Sequence, residues 1–259
     1  FHGRTIGALS VGGNKKYKSN IGPVPGKVKF CKFNDVSHLK KLVNKKTVAI
    51  IIEFVQGDGG INICSKNFAK AIKGICKNKK ILLIGDEIQG GIGRTGKIFA
   101  YKHYGVNPDI ITSAKGLGSG IPIGATIVKK YISKIISTGF HGSTFGGGML
   151  QTRVSYNVFR TINNKSFLNK VLINGNLLSS LIKKMHLLHK DKIVDTRCLG
   201  LMAGVEFKTN EIASKIYEKI AKNGLITTLI QGNIIRLTPP LIVSKKEINK
   251  AINIISESL

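Results

Sequence analysis

The chain has 259 residues, with 41 lysines and arginines against 13 aspartates and glutamates, and its formal net charge is +28. Apolar residues make up 42% of the chain and charged residues 21%, which is typical of a globular protein and unlike a disordered one. No apolar run approaches the roughly 18 residues that a membrane-spanning helix needs, so the sequence predicts no transmembrane segment and no membrane partner.

The positive charge consists almost entirely of lysine. Only six of the 41 basic residues are arginine, namely Arg4, Arg94, Arg153, Arg160, Arg197 and Arg236. Surfaces that read nucleic acids usually concentrate arginine, because its guanidinium group forks onto phosphates and bases where lysine is a point charge. The charge therefore favours a solvated lysine surface over a nucleic-acid partner, and binding to nucleic acid or another acidic partner is the alternative.

The four cysteines form no C-x-x-C pair, and no histidine stands at metal-ligand spacing from any of them. This usage predicts reduced, mostly buried thiols in a cytoplasmic protein, with no metal site.

The first part of the chain predicts strands that alternate with helices. A β-branched run predicts a buried strand over residues 47–55, and Ser65 is placed to cap a helix that extends to about residue 78. Further strands are predicted at 81–84, 109–112 and 125–128. Because strands alternate with helices, the sequence predicts an α/β fold, with a mostly parallel sheet covered by helices on both faces.

The second part of the chain predicts a smaller α+β unit. A long helical stretch is predicted over 149–189, and a capping box, Ser244 with Glu247, opens the last helix. Between them the pattern predicts a strand at 201–207, a helix at 211–223, and short strands at 226–229 and 234–237. We therefore predict a large domain over residues 1–150, followed by linking helices and a small C-terminal domain over 151–259.

Three polar residues fall at the predicted carboxyl ends of strands, where parallel sheets bind their ligands: Glu53, Asp86 and Lys115. Lys115 lies among small residues, which would let a planar cofactor approach a Schiff-base lysine. An aspartate such as Asp86, held against a pyridinium nitrogen, would keep that nitrogen protonated. On this pattern alone, a structural lysine in a glycine-rich loop is the favoured interpretation, and the cofactor lysine is the alternative.

Seven segments, spread in order over the whole chain, resemble the class III aminotransferases, which are pyridoxal-phosphate-dependent enzymes of fold type I. They are FHGRTIGALS at 1–10, EFVQGDGG at 53–60, GDEIQGGIGRTGKIFAYKHYG at 85–105, PDIITSAKGLGSGIPIGA at 108–125, HGSTFGG at 141–147, RCLGLMAGVEF at 197–207 and IIRLTPPLIVS at 234–244. Within that family, FHGRT and HGSTFGG favour the acetylornithine aminotransferase group.

The resemblance implies a role for each matching position around the cofactor, pyridoxal 5'-phosphate. Lys115 would hold the cofactor as a Schiff base and shuttle the proton during transamination. Asp86 would contact the ring nitrogen, Gln89 would contact the phenolic oxygen, and Phe1 would stack on the ring. Thr144 would donate its hydroxyl to the cofactor phosphate, usually that of the neighbouring subunit in this family.

The resemblance also implies substrate contacts. Arg4 would bind the α-carboxylate of the amine donor, and Arg236 would bind the carboxylate of 2-oxoglutarate, as bidentate guanidinium geometry favours. Asp58 would be the switch partner of Arg236, although relatives carry the longer glutamate there. Ser143 would lie near the substrate, and Glu53 would shape the site near the ring, with a purely structural role as its alternative.

The function implied by the resemblance is transamination of N-acetylornithine with 2-oxoglutarate in arginine biosynthesis, by a cytoplasmic homodimer. The alternatives are another class III aminotransferase acting on ornithine, succinyldiaminopimelate or 4-aminobutyrate, or an inactive basic remnant. His2 and His141 lie within the motifs, and we assign them no catalytic role. Because the family's upstream phosphate-binding loop is not among these residues, we expect a fragment that binds the cofactor weakly or not at all by itself.

Overall fold

The computed structural model describes all 259 residues, which form two four-stranded sheets, one two-stranded hairpin and the helices packed against them. The eight helices are α1 (Ile6–Val11), α2 (Val36–Leu42), α3 (Lys66–Lys79), α4 (Lys130–Ser133), α5 (Met149–Ile162), α6 (Lys165–Leu188), α7 (Asn210–Lys222) and α8 (Lys245–Ser258). The ten strands are β1 (Ala49–Ile52), β2 (Val55–Gln56), β3 (Asn62–Ile63), β4 (Leu82–Asp86), β5 (Ile110–Ala114), β6 (Gly124–Val128), β7 (Ile193–Leu199), β8 (Met202–Phe207), β9 (Thr228–Ile230) and β10 (Ile234–Leu237). No helix has the length and apolarity that crossing a bilayer requires.

The first sheet has the strand order β1-β4-β5-β6. Its β1–β4 and β4–β5 pairs are parallel, and β6 runs antiparallel to β5. Only residues 115–123 connect β5 to β6, too few for the crossover of about a dozen residues that a parallel neighbour needs. The predicted α/β fold with a mostly parallel sheet is therefore confirmed, and the exception follows from a short connection.

The second sheet is antiparallel throughout, in the order β7-β8-β10-β9, with β2 and β3 forming a separate hairpin. Helices α6, α7 and α8 contribute apolar side chains to its core, which includes Val171, Ile216 and Ile252. Burying these side chains on one face of the sheet gives the small unit a core of its own.

Two predictions for the second part of the chain were wrong in detail. The helical stretch predicted over 149–189 is two helices, because the Asn164 side chain accepts hydrogen bonds from the backbone of Ser166 and Phe167 and starts α6 anew. Strand β7 was missed, because the polar run from Asp195 to Arg197 interrupts its apolar pattern.

The predicted caps are confirmed. Ser65 accepts a hydrogen bond from Phe68 N at the start of α3, and Ser244 and Glu247 form the reciprocal capping box of α8. Each cap satisfies a backbone donor that would otherwise lack a partner, which typically stabilises a helix by about 1 kcal/mol.

Buried apolar side chains form two main clusters, one from Leu39 to Ile111 and one from Val171 to Ile255. Helix α5 places Val158 and Phe159 against the first cluster. The predicted domain boundary near residue 150 falls between the two clusters in sequence, and it stays a prediction.

Candidate active site

The candidate site lies where three strands of the first sheet end. Glu53 directly follows β1, Asp86 is the last residue of β4, and Lys115 directly follows β5. Because these strands are parallel neighbours, their carboxyl ends lie along one edge of the sheet, with Asp86 paired to Thr112. The predicted placement of these three residues at strand ends is confirmed.

Asp86 is buried, and both of its carboxylate oxygens have partners within the chain. His2 Nδ1 lies 2.6 Å from Asp86 Oδ2, and the backbone nitrogen of Ile88 donates to Asp86 Oδ1 at 3.0 Å. Sequence reasoning assigned His2 no catalytic role, and no local signal points to this contact because 84 residues separate the pair. The two hydrogen bonds hold the carboxylate in one orientation.

The Phe1 ring lies beside Lys115, with 6.0 Å between Lys115 Nζ and the ring centroid. The backbone nitrogen of Phe1 donates to Glu53 Oε1 at 2.9 Å, and Gly57 N donates to Glu53 Oε2 at 3.1 Å. Burial raises the pKa of Glu53, and the Phe1 and Gly57 nitrogens oppose that rise. Glu53 therefore ties the start of the chain and the loop after β2 to the end of β1.

Arg236, on β10, links the second sheet to the site. Its Nη1 lies 2.7 Å from Asp58 Oδ1 and donates to Gln89 Oε1 at 3.3 Å. The shorter aspartate therefore reaches the arginine that sequence reasoning paired it with. Arg236 Nε and Gln89 Nε2 are buried and have no hydrogen-bond partner, so the site keeps two unused donors.

Lys115, Gln89 and Arg236 line one cavity of about 790 Å³, a size typical of small-molecule sites. Phe1 and Glu53 line a larger neighbouring groove of about 1120 Å³, together with His2, Tyr17 and Asp58. The structure thus brings Phe1, Glu53, Asp58, Asp86, Gln89, Lys115 and Arg236 to one region.

The other predicted site residues lie apart from that cavity. Ser143 and Thr144 stand in an exposed loop between α4 and α5 and line neither the cavity nor the groove. Arg4 is exposed and forms no ion pair, and its guanidinium lies over the ring of Tyr17. An unpaired guanidinium at the surface is free to accept a carboxylate from solution.

Backbone strain concentrates around the cavity. Ile92, Lys115 and Ser119 line it with φ values of 48°, 47° and 46°, in the left-handed region that side-chain-bearing residues avoid. Such conformations cost of order 1–3 kcal/mol each and cluster at functional sites, where the surrounding structure enforces them.

Glu87 is a buried carboxylate that sequence reasoning did not single out. Its two oxygens accept hydrogen bonds from Ala100 N at 2.7 Å and from Tyr101 N at 2.9 Å. Burial raises its pKa from 4.5 to about 7. Glu87 therefore anchors the segment around Ala100 next to Asp86. No group of three or more His, Cys, Asp or Glu side chains lies close enough together to hold a metal ion.

Comparison with known proteins agrees with this geometry. The family model of class III aminotransferases matches residues 1–259. The chain is 41% identical to the acetylornithine aminotransferase of Methanocaldococcus jannaschii, over 99% of the chain and 64% of that protein. It is 38% identical to ornithine aminotransferase 1 of Staphylococcus saprophyticus, over 100% of the chain and 65% of that protein. It is also 38% identical to the acetylornithine/succinyldiaminopimelate aminotransferase of Buchnera aphidicola, over 96% of the chain and 61% of that protein.

Solved structures show the same fold. The ornithine aminotransferase of Toxoplasma gondii superposes with a TM-score of 0.93 at 29% identity, over 99% of this chain and 62% of that one. The N-acetylornithine aminotransferase of Stenotrophomonas maltophilia gives a TM-score of 0.79 at 26% identity, over 89% of this chain and 61% of that one. A second T. gondii structure has partial occupancy of PLP at its active site.

The fold is thus that of the pyridoxal-phosphate-dependent class III aminotransferases. The chain belongs to the class III aminotransferase family. It spans less than two thirds of the length of the three curated relatives described above.

Proposed function

We propose that the protein is a pyridoxal-phosphate-dependent aminotransferase that transfers the terminal amino group of N-acetylornithine to 2-oxoglutarate, in arginine biosynthesis. The observation that carries this proposal is the convergence of Asp86 and Lys115, at the ends of β4 and β5, with Arg236 on β10. Relatives named acetylornithine aminotransferase, at about 40% identity over the whole chain, support the choice of amine donor.

The residues present fit pyridoxal phosphate. The buried Gln89 Nε2 has no partner in the chain, which is what a donor to the cofactor's phenolic oxygen requires. The buried Asp86 carboxylate would keep the ring nitrogen protonated, and Phe1 would cover one face of the ring. When bound, the cofactor supplies an electron sink for the carbanion formed at the substrate carbon.

Lys115 would hold the cofactor covalently and move the proton at its Nζ. The nitrogen forms no hydrogen bond or ion pair within the chain, so nothing competes with that role. Small residues flank the lysine, with Ala114 before it and Gly116 after it, and leave room for a planar ring.

Each of the two arginines would bind a different substrate. Arg4, exposed and without an ion pair, would bind the α-carboxylate of the amine donor. Arg236 would bind a carboxylate of 2-oxoglutarate after leaving Asp58, whose 2.7 Å contact holds the guanidinium in place otherwise. Glu53 would shape the site near the ring, and Ser143 would lie near the substrate.

Ornithine is a second candidate donor, because the T. gondii ornithine aminotransferase superposes more closely than the S. maltophilia enzyme does. Values of kcat/KM for N-acetylornithine, ornithine, succinyldiaminopimelate and 4-aminobutyrate, measured at one 2-oxoglutarate concentration, decide between the donors. A higher value for ornithine than for N-acetylornithine would reject our choice of substrate.

We also propose that the protein acts as a homodimer in the cytoplasm. Thr144 lies in a stretch, residues 127–150, in which eight large hydrophobic side chains are exposed: Ile127, Tyr131, Ile135, Ile136, Phe140, Phe145, Met149 and Leu150. Exposed apolar patches of this kind mark protein interfaces, and a second copy would bring Thr144 to the partner's cofactor phosphate.

Sedimentation of the variants Ile135→Asp and Met149→Asp tests the dimer. We expect both to shift the purified protein toward monomer at micromolar concentration. Ile226→Asp, at an equally exposed apolar side chain outside this stretch, is the control and should leave the dimer intact. A monomeric wild type contradicts the proposal.

Reconstitution with pyridoxal phosphate tests the cofactor assignment. We expect the absorbance band of lysine-bound cofactor in the full-length wild type and in its surface control Lys222→Ala, and its loss in Lys115→Ala. If the full-length wild type shows no such band, the proposed function fails. Salt-dependent binding of generic DNA would then favour the basic-remnant alternative.

A further inference from the structure

The aromatic ring of Tyr17 contacts two residues of the proposed site. The guanidinium carbon of Arg4 is 4.4 Å from the Tyr17 ring centroid, and the Phe1 ring meets the Tyr17 ring edge-on, with 5.6 Å between centroids. The guanidinium carbon of Arg4 also lies 5.8 Å from the centroid of the Phe1 ring. The three side chains form one contacting group, in which Phe1 lies beside Lys115.

Arg4 has no other partner that fixes its direction. It is exposed, and neither a carboxylate nor a side-chain or backbone acceptor contacts its guanidinium. A free arginine side chain populates many rotamers and loses that freedom when it binds a ligand. A guanidinium that lies over an aromatic ring is attracted to it without using its N–H hydrogen bonds, which stay available to a ligand.

We propose that Tyr17 is a positioning residue that orients Arg4 for the carboxylate of the amine donor. This inference rests on the proposed function and deepens it, because it assigns a part of amine-donor recognition to a residue outside the family motifs. Stacking occupies one face of the guanidinium and leaves its edge for bidentate contact with a carboxylate. The Tyr17 hydroxyl forms no hydrogen bond in the chain, so the ring alone makes the contact.

The test compares Tyr17→Leu with Tyr17→Phe, which keeps the ring. It uses N-acetylornithine and N-acetyl-1,4-diaminobutane, the same amine without its carboxylate. We expect Tyr17→Leu to lower kcat/KM for N-acetylornithine about 2- to 5-fold, the size of an exposed cation–π interaction, and to leave the diaminobutane value unchanged. Tyr17→Phe should match the wild type with both amines.

A double-mutant cycle with Arg4→Gln gives an independent readout. Once Arg4 is replaced, Tyr17→Leu should have no further effect on N-acetylornithine. Calorimetric binding of N-acetylnorvaline, which has the carboxylate and lacks the reacting amine, should weaken in Tyr17→Leu by the same factor without any turnover.

Three results would overturn the inference: an equal loss for both amines, an equal loss in Tyr17→Phe, or additivity with Arg4→Gln. If Tyr17→Leu fails to fold, Tyr17→Met replaces it in the double-mutant cycle with Arg4→Gln. The same criteria then apply to Tyr17→Met. A wild type that transaminates neither amine is a different outcome, since it rejects the proposed function and the inference with it.

Discussion

Glu87 makes the stability of the protein depend on pH. Its side chain is fully buried, and the desolvation of its charge raises its pKa from 4.5 to about 7 despite two backbone donors. In the unfolded chain the carboxyl ionises near 4.5, whereas in the fold it keeps its proton until about pH 7. Glu87 therefore contributes most to stability below pH 4.5, and that contribution is lost as the pH rises to about 7.

The interval between the two pKa values corresponds to a change of about 3 kcal/mol in the free energy of unfolding, at roughly 1.4 kcal/mol per pH unit. In Glu87→Gln the side chain is neutral at every pH, so this dependence is absent. The amide cannot accept both backbone hydrogen bonds, which lowers stability by about 1–3 kcal/mol at every pH. We therefore expect the stability advantage of the wild type over Glu87→Gln to shrink between pH 4.5 and pH 7.5.

Urea unfolding followed by circular dichroism, at pH 4.5 and at pH 7.5, measures this difference. Glu257→Gln, at an exposed glutamate near the end of α8, is the control and should show the wild-type pH dependence. Parallel pH profiles for wild type and Glu87→Gln would refute the reasoning, because they would mean that Glu87 titrates alike in the folded and unfolded states.

Three further predictions concern the site and the fold. His2→Leu leaves Asp86 Oδ2 without its 2.6 Å partner, and it should weaken equilibrium binding of pyridoxal phosphate about tenfold; unchanged affinity contradicts this. Arg236→Lys should raise KM for 2-oxoglutarate about tenfold and leave KM for the amine unchanged, because lysine cannot form the bidentate contact; equal rises in both would reject the division of substrates. Asn164→Ala removes the cap of α6 and should lower the unfolding free energy, measured in urea, by about 1 kcal/mol. Asn164→Ser should keep most of the wild-type stability, because serine also caps helices.

Much of the fold follows from local patterns. The β-branched run over residues 47–55 predicts a strand that contains β1, and Ser65 and Ser244 predict the starts of α3 and α8, because capping depends on residues within three positions. The placement of Asp86 and Lys115 at strand ends also follows from the sequence, since each comes within three residues of the end of a predicted strand. Strand β7 was missed because Arg197 on it serves a distant partner, Asn62, whereas the start of α6 at Asn164 is a local cap that the prediction overlooked.

The sequence by itself determined the family, the mostly parallel sheet and the residue types available for chemistry. The tertiary structure decided which of those residues meet. His2 reaches Asp86 across 84 residues, a contact that no local pattern indicates. Arg236 reaches Asp58 across 178 residues, a pairing that only the family resemblance implied beforehand. It also placed Tyr17 under Arg4, and Thr144 outside the cavity that holds Lys115. The physical reason is that strands and caps depend on near neighbours in the chain, whereas these contacts depend on how two sheets and their loops pack together.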